Sequence, residues 1–401
     1  MKLFKFATSS ITLCIISTLS YSAFAERVII QVDNDKKGIV KALAKQLGGE
    51  IKVDSNGFIA AEFANQDLEK IKGLLNNPFI KLIEVDQKRH LLSIYNDDIG
   101  DPTATELTPY AVKQSQANQL NLNLADAKKV CVVDSGIGRN TDGDVDEFGD
   151  EKMHPDFDWN TIGGTTDDGT GNWYEHGGPH GTHVAGTIGA AENGVGVVGM
   201  APGVPMHIVK VFNEDAWGYS SNLAKAASDC ANAGAKIISM SLGGGGANST
   251  EENAFNDFVA SGGLVVAAAG NDGNNVRSYP AGYSSVVMVG ANDADNNIAT
   301  FSQFPSCTIT TGRGKRQKST TDETFCVEVT AGGVNTLSTY PENTASSSSL
   351  SADGIYYASS AMENSGTVLD NATYFMGIGD STNSGASGKT CLIDRGTITF
   401  H

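Results

Sequence analysis

This sequence is poor in basic residues relative to acidic ones, and in long apolar runs. Its 401 residues hold 28 Lys and Arg against 46 Asp and Glu, a formal net charge of −18. No basic stripe appears, which argues against nucleic-acid binding. After the first 25 residues no segment is long and apolar enough to span a bilayer. Internal repeats are also absent. Charged residues of both signs reach only 18%, whereas hydrophobic residues reach 40%; this is the balance of a folded chain, not a disordered one. The length exceeds one compact core and suits two or three domains. The acidity supports solubility, and Asp-rich loops suit calcium, a hard cation that takes oxygen ligands. Glycine is plentiful, at 46 residues, so tight turns and close backbone approaches are expected.

The N-terminus reads as an export signal. Lys2 and Lys5 precede a mostly apolar stretch, residues 11–19, and Ala23-Phe24-Ala25 supplies small residues before Glu26. The stretch is too short and too rich in Ser and Thr for a membrane anchor. Cleavage after residue 25 leaves a secreted chain with no membrane span. Six cysteines are present, and Cys14 leaves with the signal. Cys131, in an apolar run, reads as a buried free thiol, and Cys230, in an Ala-rich helical stretch, is open to the same reading. Cys307 and Cys326 flank a polar, basic loop and are the best disulfide candidates. Cys391 then lacks a partner, as it would if that partner lay beyond residue 401.

Residues 26–96 alternate strand and helix patterns. Residues 28–32, 58–63 and 79–85 have strand character. Ile39, Val40, Leu43 and Leu47 recur at helical spacing up to Gly48-Gly49, and Leu68, Ile71, Leu74 and Leu75 form a second stripe. The order suits a small α+β, ferredoxin-like layer. Residues 97–108, polar and containing Asp101-Pro102, read as a linker. From 109 to 340, continuous apolar strands (129–133, 208–212, 235–240, 264–268, 286–289) alternate with helical stretches (181–190, 221–233, 251–261). This pattern predicts an α/β fold, a parallel sheet with helices on both faces. Ligands in such folds bind outside the carboxyl ends of the strands. Residues 341–401, rich in Gly, Ser and Thr, read as the opening of a β-rich domain.

Three segments at strand ends carry chemistry. Asp134 lies where a buried strand meets a turn, His180 opens a helix packed by small residues, and Asn271 follows a strand. Taken singly, each has a plainer reading: a cap, a structural histidine, a turn. Together they suit acyl transfer. An Asp holds a His in one tautomer, the His deprotonates a nucleophile, and an Asn amide donates to the resulting oxyanion.

These segments resemble the subtilases, the subtilisin-like serine peptidases. The resemblance rests on Asp134-Ser135-Gly136, on His180-Gly181-Thr182-His183-Val184-Ala185-Gly186, on Ser239-Met240-Ser241-Leu242-Gly243-Gly244, and on Ala268-Ala269-Gly270-Asn271, which begins 88 residues after His180. It implies that Asp134 orients the imidazole, that His180 is the general base and that Asn271 is the oxyanion donor. It also implies that Ser241, Leu242 and Gly243 pair with an extended polypeptide substrate. Ala268, Ala269 and Gly270 would wall the specificity pocket, with Ser278 near its floor. His183 is read as structural. A structural calcium would be held by Asp156, Asn193 and the carbonyls of Ala191, Val195 and Val197, with Glu106 as a further ligand. The acidic loop 138–152 would either hold another calcium or remain solvated.

By the same resemblance, residues 26–96 are a propeptide that assists folding and blocks the cleft as an intramolecular inhibitor, with the processing cut between Asn96 and Thr108. Cys391-Leu392-Ile393-Asp394-Arg395-Gly396 resembles the start of an inserted protease-associated domain. One departure stands out. The family's nucleophile segment, Gly-Thr-Ser-x-Ala, does not occur, although residues 327–334 resemble the strand that precedes it. The expectation is therefore a secreted serine endopeptidase zymogen whose nucleophile lies beyond residue 401, inert as it stands. The alternative is a non-catalytic peptide-binding pseudoprotease.

Overall fold

The computed structural model describes residues 26–63, 74, 77–91, 105–138, 154–166, 169–213, 217–311 and 317–341, with the backbone of four short strands beyond 349. The signal at 1–25, Leu68, Ile71 and Leu75 of the second stripe, most of the linker with its cut, and nearly all of the acidic loop lie outside the described residues. So does most of the candidate inserted domain. The chain divides into two compact units, Met1–Ala345 and Ser346–His401. In the second, two strand pairs are described, Leu350–Ala352 with Ile355–Tyr357 and Thr373–Phe375 with Thr390–Leu392.

The first unit is built around seven parallel strands. They are β6 (Val130–Asp134), β7 (Ile162–Thr165), β8 (Met206–Lys210), β10 (Ile237–Met240), β12 (Leu264–Ala268), β13 (Val286–Asn292) and β16 (Val329–Gly332). Their spatial order is β16-β13-β12-β10-β6-β8-β7. Every residue of β6 is buried, as expected for a strand covered on both faces. On one face the helices Ser220–Asn232 and Ser249–Ala260 bury Leu223, Ala227, Phe255 and Phe258 against Val133, Ile238 and Val265. On the other, Ala185 of the helix His180–Gly189 packs with Val132, Met206 and Ile208. Each large aliphatic side chain buried this way contributes about 1.5–3 kcal/mol before entropy is counted. Strand order reverses at β6: the next strands in the chain lie on one side of it and β10 lies on the other. The crevice at the carboxyl ends of β6 and β10 is therefore the place for a ligand.

The alternating pattern at 109–340 is borne out, with strand and helix bounds shifted by a few residues. The α+β reading of the preceding segment holds with one addition. Strands β1 (Glu26–Val32), β2 (Gly49–Ser55), β3 (Phe58–Phe63) and β4 (Ile80–Val85) form an antiparallel sheet in the order β2-β3-β1-β4. Strand β2 was not expected. It is a half-buried hairpin partner of β3, with only Gly49 and Val53 buried, and Lys52 and Asp54 interrupt its apolar character. Both faces of the sheet are covered. Val28, Ile30 and Val32 pack on the Lys37–Gln46 helix. Ile29, Phe58 and Ala60 pack against Ala224 and Ala254 of the two helices of the larger sheet. This double burial explains why β1 is apolar without alternation.

The cysteine reading needs correction. Cys131 and Cys230 form a disulfide with Cα atoms 5.6 Å apart. Cys131 lies on β6 and Cys230 on the helix that covers it, so both sulfurs meet in one core cluster. That adjacency joins residues 99 positions apart and leaves no local trace. Cys307 and Cys326 pair as expected, flanking the hairpin of β14 (Thr308–Thr311) and β15 (Lys318–Thr321). Alkylation under non-reducing conditions, followed by mass spectrometry, should leave Cys131 and Cys230 unmodified, and C131A/C230A should lower stability by about 2–5 kcal/mol. Free labelling of either thiol in the folded protein would contradict the pairing.

Candidate active site

The Asp134 carboxylate is wholly buried at the end of β6. The backbone turns sharply after it, and Gly136 adopts a φ of +83°, which only glycine reaches without strain. Ser135 N donates to Asp134 Oδ1 at 2.7 Å. The helix beginning at His180 then lies almost on this turn. Gly181 N donates to Ser135 Oγ at 2.9 Å, and a β-carbon on Gly181 would sit 2.1 Å from the Gly136 carbonyl oxygen. No larger residue fits, and the close approach delivers the imidazole to the carboxylate. His180 Nδ1 lies 2.8 Å from Asp134 Oδ1 and 3.0 Å from Oδ2. A proton on Nδ1 donated to this carboxylate leaves Nε2 as the proton-accepting atom.

The other expected residues gather at the same edge of the sheet. Ala268 ends β12, and Ala269 N donates to Val289 O at 2.8 Å. Gly270 has φ +115°, and a β-carbon there would fall 1.6 Å from Gln303 Oε1. Asn271 follows, half-buried. Ser278 Oγ would be 2.8 Å from a β-carbon on Gly243, so Ser278 lies against the segment 241–243. Leu242 and Gly243 form β11. Gln303 was missed in the sequence. It is buried, its backbone N donates to Gly270 O at 3.0 Å and its amide donates to Val276 O at 2.8 Å. It therefore clamps the loop that carries Asn271.

Strand β5 (Lys88–Leu91) was also missed. It lies between β11 and β9 (Trp217–Tyr219) as the middle strand of a small antiparallel sheet. Leu91 pairs with Leu242 and His90 with Gly243; on the other side Lys88 pairs with Tyr219. Two acidic residues just before β5 cap helices of the larger sheet. Glu84 accepts from Ser249 N at 2.9 Å and Thr250 N at 2.8 Å. Asp86 accepts from Ser221 N at 2.7 Å and from Ser220 Oγ at 3.0 Å, and pairs with Arg27 at 2.8 Å. Anionic caps at helix N-termini satisfy unpaired N–H groups and oppose the helix dipole.

The calcium candidates gather around the loop 191–197. Asp156 Oδ2 accepts from Val197 N at 2.9 Å, whereas Oδ1 is buried with no partner. Ala191 N donates to Asp156 O at 2.9 Å. Asn193 Oδ1 accepts from Val195 N at 3.1 Å. The bridge between Leu107 and Val197 brings Glu106 alongside, where its carboxylate accepts from Asn193 N and Gly194 N. Two carboxylates, an amide oxygen and loop carbonyls, with one orphaned carboxylate oxygen, are a donor set that fits a hard dication.

Three comparisons bear on this arrangement. The subtilase family model matches residues 125–367. The chain belongs to the subtilase family. It is 37% identical over 224 residues to subtilisin BL of Lederbergia lenta, covering 54% of this chain and 67% of that protein. It is 34% identical over 263 residues to an alkaline protease of Alkalihalobacillus alcalophilus, covering 63% and 58%. Among solved structures it resembles the psychrophilic subtilisin-like protease Apa1 of Pseudoalteromonas sp. AS-11, with a TM-score of 0.52, 34% identity and coverage of 73% of this chain and 65% of that one. The chain thus spans 58–67% of the length of these relatives. The match covers the parallel sheet and the residues gathered at its carboxyl edge.

His183, one turn after His180, is buried, with Nε2 unpartnered. Burial, with a smaller effect from His180, pushes its imidazole down to about 3. The folded subtilase domain therefore holds it neutral, while the unfolded chain protonates it near its ordinary value of 6.5. Its contribution to stability is complete above pH 6.5 and is lost as pH falls from there towards 3, at up to about 1.4 kcal/mol per pH unit. Urea denaturation from pH 7 to pH 4 should show a shallower pH slope for H183N than for the wild type. Equal slopes would mean that His183 is not the titrating group.

Proposed function

We propose that this subtilase chain is part of the precursor of an exported serine endopeptidase that hydrolyses peptide bonds. The observation that carries the reading is the buried contact of Asp134 with His180 Nδ1, at 2.8 Å, at the carboxyl end of the central strand. Asp134 holds the imidazole in the tautomer whose Nε2 takes a proton, and stabilises the imidazolium once it forms. His180 then removes the hydroxyl proton from a serine that attacks the substrate carbonyl, and later returns that proton to the leaving amine. Asn271 donates to the developing oxyanion, a contribution worth roughly 10²–10³ in rate. The serine belongs to sequence outside these 401 residues, since no Gly-Thr-Ser-x-Ala segment occurs among them. The substrate enters as an extended strand against Ser241, Leu242 and Gly243, and Ala268, Ala269, Gly270 and Ser278 shape the pocket for the residue before the cut.

Residues 26–96 act as an intramolecular inhibitor in this reading. β5 is paired with Leu242 and Gly243, the residues that would otherwise bind substrate, and Glu84 and Asp86 hold it there through two helix caps. The first 25 residues direct export. Calcium is structural: Asp156 and Glu106, with Asn193 and the carbonyls of Ala191, Val195 and Val197, would hold it, and it would neutralise their charge without entering the reaction.

In the full-length gene product, D134N should lower kcat about 10⁴-fold on a peptide substrate with little change in thermal stability. Detectable turnover with unchanged kcat would refute the assigned role. If the wild-type protein binds peptides, neither cleaves them nor reacts with a serine-directed phosphonate, the pseudoprotease reading replaces the peptidase one.

Calcium at a hundred times its Kd should stabilise the fold by about 2.7 kcal/mol. Chelation should lower Tm accordingly, and D156N should abolish the calcium-dependent part. An unchanged Tm on chelation would remove calcium from the assignment.

A further inference from the structure

Unlike Glu84 and Asp86, Arg89 of β5 plays no part in a helix cap. Its side chain is wholly buried, as is the Glu251 side chain it meets. Its Nε donates to Glu251 Oε1 at 3.1 Å and its Nη2 to Glu251 Oε2. Its Nη1 donates to Gly244 O at 3.0 Å, and Nη2 also reaches Gly246 O at 3.3 Å. Tyr283 completes the pocket, its hydroxyl donating to Glu251 Oε2 at 2.6 Å. Burial and the Glu251 charge push the Tyr283 phenol up, so it remains a donor. Gly245 is needed for entry, because a β-carbon there would lie 2.8 Å from Arg89 Nη1.

Nη1 also donates to the neighbouring Lys88 O at 3.1 Å; every other partner of the guanidinium, with Tyr283, belongs to residues 244–283. Among the described residues Arg89 is the only cation paired with Glu251. When β5 leaves the cleft, this pocket retains the Glu251 carboxylate and the two carbonyls that had faced a guanidinium, and a side chain that takes the place of Arg89 shuts water away from them again. An isolated buried charge is strongly unfavourable. The occupant that removes the penalty has the same chemistry. A guanidinium meets both carboxylate oxygens and the carbonyls at once, whereas a lysine ammonium offers no planar fork. An aliphatic side chain would leave all of them unpaired.

We propose that the pocket formed by Glu251, Tyr283 and the Gly244–Gly246 carbonyls is a specificity subsite that selects arginine in peptide substrates. The arginine lies two residues N-terminal to the substrate residue that pairs with Leu242, as Arg89 lies two residues before Leu91. The inference rests on the reading that β5 occupies the path of the substrate.

The test uses the matured full-length enzyme and three internally quenched peptides. One copies residues 87–100, and the other two carry Leu or Lys at the position of Arg89. The arginine peptide should be cleaved with a kcat/KM on the order of 10² above the leucine peptide, with the lysine peptide between them. Glu251→Leu should reverse the order of arginine and leucine. Because E251L alone would strand Arg89 in the precursor, R89L/E251L is made as well; it removes both charges together and should mature normally. Equal cleavage of all three peptides by the wild type, or an arginine preference that survives in R89L/E251L, overturns the subsite while leaving the peptidase reading intact. If the wild type cleaves none of the peptides and no unfolded protein substrate either, the peptidase reading fails and the subsite with it.

Discussion

The contact on which the site depends is between two pieces of backbone. The turn after β6 and the first turn of the helix at His180 approach until only a hydrogen fits between Gly181 and the Gly136 carbonyl. The Ser135 hydroxyl joins them by accepting from Gly181 N. This closeness lets a short Asp side chain and a His side chain from different elements meet at 2.8 Å inside the core. A site assembled on a strand end and a helix start is rigid, because each is anchored by its own backbone ladder and by burial on both faces of the sheet. Preorganisation of this kind lets a buried carboxylate act on an imidazole without solvent competing for either.

The same sheet organises the cleft. Strand order reverses at β6, opening a crevice at its carboxyl end, and β11 and β9 flank an extended segment there. In this structure the segment is β5, supplied by the chain itself. Its hold is partly electrostatic. Glu84 and Asp86 supply anionic oxygens to the N-termini of two helices, and Arg89 carries positive charge to a buried Glu251. The β1–β4 sheet adds apolar contact through Ile29, Phe58 and Ala60. Polar caps and a charge pair give register, because each has one geometry, whereas the apolar face gives area without a fixed position. The two together keep Leu91 opposite Leu242.

Much of this was legible in the sequence for a definite reason. Continuous apolar strands alternating with helices can be satisfied only by a sheet buried on both faces, so residues 109–340 implied their architecture. The segments bearing Asp134, His180 and Asn271 are local, and their glycines answer to steric demands within a few residues; the residues and the family were readable from them. The structure alone decided the features that join distant positions. The Cys131–Cys230 disulfide, the Gln303 clamp, strand β5 and the Arg89–Glu251 pair each depend on groups separated by tens to hundreds of residues. Nothing local sets either residue apart: Glu251 falls at the start of the helical stretch 251–261, and Arg89 follows the strand-like run 79–85. Sequence determines such a group's charge and reach, but its burial and its partner are set by which elements the sheet brings side by side.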